Sequence, residues 1–422
     1  MYQTVKGTYD LLNEDLLKFN ELENLFRQFL DLYGYSEIKT PVFEYTGVFK
    51  KDNDTSDMVT KEMYTFSLNG KDSLTLRPEG TAGVIRSVIE HKLYGNSELP
   101  LKLAYIEEMF RHERPQKGRQ RQFTQMGIEC IGDKNPLIDA EVIALGYNFI
   151  KAIGLNSIKV CINTLGDNES RLKYKQDLID YFTPYKDQLC QDCQNRLEKN
   201  PLRILDCKVD HELDIIKNAP KMKLSAEASE YFEKVKMYLE AMNIPYFVDD
   251  RLVRGLDYYT DTVFEVVSTH SESGSQATIF GGGRYDDLVK QMGGPQLSGI
   301  GFAIGLERLV ILCDAEKVFD EFKKEIDCYV INLDAKADYA LQISQLLREN
   351  GLITEMDYYG RSLKAQFKSS EKKNARFVLI IGEDEINTNT VTLKDTLTKA
   401  QENVKKEELV SRIDQLMEDY YV

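Results

Sequence analysis

Residues 101–132 alternate in polarity over a length that suits a pair of long strands. LKLAYIEEMFRHE and RQFTQMGIECIG, joined by the basic, glycine-containing loop PQKGRQ, predict an antiparallel hairpin. Residues two apart on a strand share a face, so Arg111 and Glu113 fall together on the first strand, and Arg121, Phe123, Gln125 and Glu129 on the second. Guanidiniums, carboxylates, an amide and an aromatic ring then crowd one side, which is rare for a sheet face that only packs. Guanidiniums grip phosphate oxygens in a bidentate way, a phenyl ring offers a plane to a purine, and carboxylates accept from an amino group. The pattern predicts a nucleotide site; on alternation alone, a solvated outer face with an exposed tip stays open.

The rest of the chain sets this hairpin in a layered frame. Leu16, Phe19, Leu22, Leu25, Phe26, Phe29, Leu30 and Tyr33 recur at three- and four-residue steps, a helix face that ends at Gly34. YSEIKTPVFEY reads as extended chain, and Pro41 confines it to an edge or interface. Further strands at IKVCIN, DYYTDTVFEVV, QATIF and SGIGFAI, the last running into the helix GLERLVIL, predict an α+β catalytic domain over 1–324, built on an antiparallel sheet with flanking helices. A charged, helical insertion interrupts it at about 168–226. From 325 to 422 the rhythm becomes strand, helix, strand, helix, strand, a C-terminal α/β domain with a βαβαβ core closed by a hairpin and a last helix.

Composition narrows the setting. Among 422 residues, 42% hydrophobic and 29% charged, no apolar run reaches the roughly 18 residues of a membrane span. MYQTVKGTYD has no basic-then-apolar export pattern, so a cytoplasmic location is expected, and the odd count of seven cysteines fits reduced thiols. A net charge of −15 argues against broad affinity for nucleic acid, which leaves local basic patches to carry any such contact. Cys190, Cys193, Cys207 and His211 form C-x2-C-x13-C-x3-H, a spacing compatible with a structural, tetrahedral zinc site; cysteines buried as small hydrophobes are the alternative.

Several strings carry a family resemblance. FRHERPQKGRQRQF resembles motif 2 of class II aminoacyl-tRNA synthetases, GIGFAIGLERL their motif 3 and YSEIKTPVFE their motif 1. LVRGLDYYT and GGGRYDDL are similar to signature segments of histidyl-tRNA synthetases, and TLRPEGT to their amino-group loop. The resemblance implies ATP-dependent formation of histidyl adenylate, with Mg2+ accompanying ATP, and transfer of the histidyl group to tRNA(His). It assigns Arg111 and Arg254 to catalysis at the α-phosphate and the substrate carboxylate. Glu113 and Phe123 fall to adenine, and Arg119, Arg121 and Arg308 to the remaining phosphates. Glu79, Thr81 and Gln125, with Arg111 nearby, would hold histidine's backbone groups, while Glu129 and Tyr259 meet its imidazole nitrogens and Tyr258 completes the wall.

Motif 1 implies a homodimer. For tRNA, the hairpin tip offers Arg114, Gln116, Lys117 and Arg119 to the acceptor end, and Arg361, Lys364, Lys368 and Lys372 step along a C-terminal helix in a domain that reads the anticodon in this family. A solvated helix face is the plainer reading of that second cluster. Glu107–Glu108, Gln120 and Asp287 depart from the usual strings and bear on loop contacts. A regulatory paralogue would be expected to lack catalytic residues or the C-terminal domain; a small-molecule ligase would lack LVRGLDYYT and the basic C-terminal helix.

Overall fold

The computed structural model describes residues 2–50, 56, 58–96, 98–205, 207, 209–253, 258–270, 278–319, 325–333 and 337–418. The first helix runs Asn13–Tyr33, buries Phe19, Leu22, Phe26 and Leu30, and is closed by Gly34 at φ 72°, a left-handed value that suits glycine. In chain order the strands that follow are β1 (Ser36–Glu37), β2 (Phe43–Tyr45), β3 (Thr65–Leu68), β4 (Asp72–Leu76), β5 (Leu101–Phe110), β6 (Gln122–Gly132), β7 (Ile158–Thr164), β8 (Phe247–Val248), β9 (Thr260–Ser268), β10 (Thr278–Tyr285) and β11 (Ser298–Gly305).

Among the described residues β2, β4 and β3 form a small sheet, and the others one large sheet in the order β1-β5-β6-β11-β10-β9-β7-β8. Its six inner strands are antiparallel, as the alternation predicted, but the two-residue edge strands β1 and β8 run parallel to their neighbours, so the sheet is mixed. The chain around Pro41 makes two short edge strands in two different sheets rather than one strand. Helices Asn13–Tyr33, Pro136–Ala152, Ala226–Ala241 and Leu306–Ala315 cover one face of the large sheet, where Ile128, Phe264, Ile300 and Phe302 join Phe149, Val235 and Leu309 in one apolar core. Because side chains alternate, Gly127, Glu129 and Gly301 are turned to the opposite face.

The insertion contains the helices Asn168–Phe182, Gln191–Lys199 and Asp214–Lys217, with a small core of its own around Leu178, Phe182, Leu197 and Ile204. Two compact units result, Met1–Asp320 and Glu321–Val422. The second contains β12 (Ile326–Asn332), β13 (Thr354–Met356), β14 (Ala375–Ile381), β15 (Thr390–Asp395) and β16 (Gln401–Lys405) in the order β13-β12-β14-β15-β16. The first three are parallel and the hairpin antiparallel; helices Asp338–Glu349 and Leu363–Lys372 are the crossovers.

Candidate active site

A cleft of about 340 Å³ opens on the opposite face of the large sheet, beside helix Thr81–Glu90, and at its floor stands Glu129 on β6, only 1% exposed. Its Oε1 accepts from the Thr81 hydroxyl at 2.6 Å, and its Oε2 from the Tyr285 hydroxyl at 2.5 Å. Tyr285 lies on β10, with β11 between the two. The reach is possible because β11 presents glycine twice on that face. A Cβ on Gly301 would lie 2.3 Å from Glu129 Oε2, and one on Gly299 would lie 2.2 Å from the Tyr285 ring. Burial pushes the Glu129 carboxyl up to about 8; the Thr81 and Tyr285 hydroxyls oppose the shift and nearby Glu79 adds to it. An acid of that strength keeps its proton at neutral pH until a better donor arrives.

Glu79 lies beside the start of helix Thr81–Glu90, where its carboxylate accepts from the Thr81 and Ala82 amides at 2.6 and 2.9 Å. Exposed helix amides favour an anion there. Gln125 Oε1 is buried without a partner inside the cleft, an acceptor awaiting a donor from a ligand. Tyr258 and Tyr259, rings 4.8 Å apart, close the same end.

The other end is cationic. Arg111 follows β5, donates from Nε to the Pro78 carbonyl at 2.8 Å and holds its guanidinium 5.2 Å from the Phe123 ring centre. Arg119 contacts Glu113 at 3.2 Å yet leaves a buried Nε unpartnered. Arg308 donates to the Gly118 carbonyl at 3.1 Å; burial first, then Arg119 and Arg111, hold its pKa below the ordinary value while Glu113 opposes. Three guanidiniums gathered in one cleft form a field suited to a polyanion.

Two expectations need correction here. The strands stop at Phe110 and begin again at Gln122, so Arg111, Glu113 and Arg121 belong to the connecting loop, not to the strands. Arg121 does not line the cleft: its backbone N–H bonds to the Gly7 carbonyl, and its side chain runs beside Gly7 and donates to the Glu113 carbonyl. Arg254 lies outside the described residues.

Residues not singled out from the sequence complete the site. Besides Tyr285, Glu307 accepts from the Thr124 amide at 2.8 Å and the Tyr9 hydroxyl at 3.3 Å, and burial raises it to about 7. Arg203 reaches the cleft from the insertion. Glu107, one of the departures, is no loop contact: buried, it pairs with Arg77 at 2.7 Å and accepts from the Thr40 amide and hydroxyl, tying the Pro41 segment to β5. The signal for Tyr285 was present in GGGRYDDL and in the glycines of SGIG, but only strand order shows that they meet.

Outside the cleft, Arg114, Gln116 and Lys117 are exposed at the hairpin tip. Lys364, Lys368 and Lys372 are exposed on helix Leu363–Lys372, but Arg361 precedes that helix and is tethered to Asp357, so the face holds three of the four expected charges. Cys190, Cys193 and Cys207 converge as expected; Asp210, not His211, joins them, and His211 is turned to the surface beside Glu212.

A sheet of this order, with an arginine-lined cleft above a buried carboxylate, is the catalytic unit of a class II aminoacyl-tRNA synthetase. Residues 7–166 and 193–309 match the family described as histidyl-tRNA synthetase, and residues 327–416 match the anticodon binding domain. The chain therefore belongs to the histidyl-tRNA synthetase family. The histidine–tRNA ligase of Listeria innocua is 47% identical over 421 residues, 99% of either chain, and that of Bacillus cytotoxicus is 48% identical over 415 residues, 97% of this chain and 98% of the other. The crystal structure of apo S. aureus histidyl-tRNA synthetase superposes with a TM-score of 0.84 at 38% identity, covering 98% of this chain and all of that one.

Proposed function

We propose that this chain attaches L-histidine to tRNA(His) in an ATP-dependent reaction through histidyl adenylate, releasing AMP and pyrophosphate. The observation that carries the reading is Glu129, buried, fixed by two hydroxyls and facing a cleft whose other end is a cluster of guanidiniums. A neutral imidazole offers one donor and one acceptor and needs a partner for each. Glu129 takes the ring N–H and Tyr259 meets the second nitrogen, while Glu79, Thr81 and Gln125 receive the ammonium. A ring N–H donated to Glu129 favours its ionised form, so histidine binding expels the proton that burial holds there.

The histidine carboxylate then attacks the α-phosphorus of ATP, which enters with its Mg2+, and pyrophosphate leaves. Arg111, Arg119, Arg308 and Arg254 stabilise charge on the phosphates, a task of positioning and electrostatics that needs no enzyme nucleophile. Phe123 lies under the adenine and Glu113 beside it. The terminal tRNA hydroxyl next takes the histidyl group, with the exposed hairpin tip at the acceptor end and the unit around Lys364 and Lys368 at the anticodon. The protein works as a cytoplasmic homodimer; the exposed apolar side chains Val42, Phe43, Tyr45, Phe66 and Leu68 around the small sheet supply a surface to cover.

Amino-acid-dependent ATP–pyrophosphate exchange, run with each of the twenty amino acids, tests the reading. Histidine alone should support exchange; exchange with another amino acid, or with none, overturns it.

A further inference from the structure

Cys190 immediately precedes helix Gln191–Lys199, Cys193 lies in its first turn, and Cys207 and Asp210 follow the turn Pro201–Ile204. Cys193, Cys207 and Asp210 are buried, and one ligand atom from each of the four residues lies within 4.8 Å of every other. The Cys190 and Cys207 sulfurs are 3.7 Å apart. Zn–S bonds of about 2.3 Å at tetrahedral angles place sulfurs roughly 3.8 Å apart, so this pair already has the spacing of one tetrahedral edge. The backbone braces the set: the Cys190 amide donates to Asp210 Oδ2 at 3.0 Å, and the Asp210 amide to Cys207 Sγ at 3.4 Å.

We infer that the insertion carries a structural zinc site with Cys190, Cys193, Cys207 and Asp210 as its four ligands. Three soft sulfurs select zinc over magnesium or calcium, and a full protein ligand set leaves no open position, which makes the site structural. Need and location agree. The insertion's core is small, and the helix that bears Cys193 has only 9 residues, conditions under which a domain gains most from a metal staple. The stapled turn Pro201–Ile204 also carries Arg203, which lines the cleft, so the metal holds one wall residue of the active site from outside it. Cys190 lies in the stretch that the family match leaves out, residues 167–192, whereas Cys193, Cys207 and Asp210 lie within the match.

Elemental analysis of the full-length protein, purified without chelator, should give about one zinc per chain; less than about half an equivalent overturns the proposal, whether the thiols are then free or bridged. Cys193→Ser and Cys207→Ser should lose the metal. Asp210→Ala should bind zinc at least about tenfold more weakly in competition with a chelator, whereas His211→Ala should bind it as tightly as the parent. The reverse ranking would restore His211 as the ligand and contradict the set. Should the cysteine variants fail to fold, Co2+ exchanged into the parent decides: intense sulfur-to-metal charge-transfer and tetrahedral d–d bands are expected, and the weak spectrum of octahedral cobalt would refute the site. Chelated parent protein should be cleaved faster by protease within 168–226, and unchanged cleavage after complete zinc loss would remove the stapling role.

Discussion

Tyr285 donates its hydroxyl to Glu129 across an intervening strand, 2.5 Å from Oε2, through a gap left by Gly299 and Gly301. The bond orients the carboxylate that we propose meets the imidazole and, with Thr81, holds its pKa lower than burial alone would set it. Tyr285→Phe keeps the ring and removes the bond. A hydrogen bond to a charged group contributes about 1.5–3 kcal/mol, so KM for histidine should rise about tenfold or more while kcat changes less. Without that hydroxyl Glu129 holds its proton more tightly, and the acid limb of histidine affinity should move to higher pH. A fall in thermal stability with an unmoved pH limb would reduce Tyr285 to packing.

Glu129 also sets a pH dependence of stability. Its folded pKa of about 8 exceeds the ordinary 4.5, so between those values the folded protein binds a proton that the unfolded chain does not. Its contribution to stability is therefore greatest at low pH and is lost as pH rises through that window. Glu129→Gln should flatten the decline of Tm from pH 5.5 to 8.5 in the absence of ligand. Part of the slope should remain, because Glu307, at about 7, acts with the same sign. An unchanged slope would mean that Glu129 is ionised in the empty cleft.

Glu107 pairs with Arg77 below the Pro41 segment, both side chains buried. Removing one partner of a buried pair strands the other charge, so Glu107→Ala should destabilise the first unit by about 3–5 kcal/mol, read by denaturant titration. Glu107→Gln keeps one carbonyl acceptor for the Thr40 amide, while its NH2 can only donate toward the Thr40 hydroxyl, and should be milder. Equal losses would show that charge, not hydrogen bonding, is what this position supplies.

Period-two alternation made the hairpin, the polar face of β6 and the inner antiparallel strands legible in the sequence, and the strand–helix rhythm gave the C-terminal unit. What alternation omits is which strands become neighbours. Tyr285 is 156 residues from Glu129, and their meeting depends on β11 lying between β6 and β10 with glycine at two positions. Spacing likewise pointed to His211 as the fourth metal-site residue, whereas the fold brings Asp210 to the three cysteines and turns His211 to the surface. Arg361 was assigned to a helix that begins two residues later, because helix ends follow from capping, which periodicity does not report.

Arg254, outside the described residues, is assigned by family resemblance to the α-phosphate and the substrate carboxylate. A fixed, planar cation there lowers the barrier by meeting charge as it develops. Arg254→Ala should slow single-turnover adenylate formation on the order of 10²- to 10³-fold, with histidine affinity falling less. An undiminished rate in a protein of unchanged Tm would refute the catalytic role.

The proposed function requires that the imidazole of histidine be read at both nitrogens at the floor of this cleft, by Glu129 and Tyr259. Histidine methylated on one ring nitrogen or on the other, compared with L-histidine in ATP–pyrophosphate exchange, tests it most directly. Each methyl group removes one partnered nitrogen and strands a buried polar group, so both isomers should lose on the order of 10³-fold or more in kcat/KM. Retention of activity within about tenfold of histidine by either isomer would leave that nitrogen unread and contradict the account.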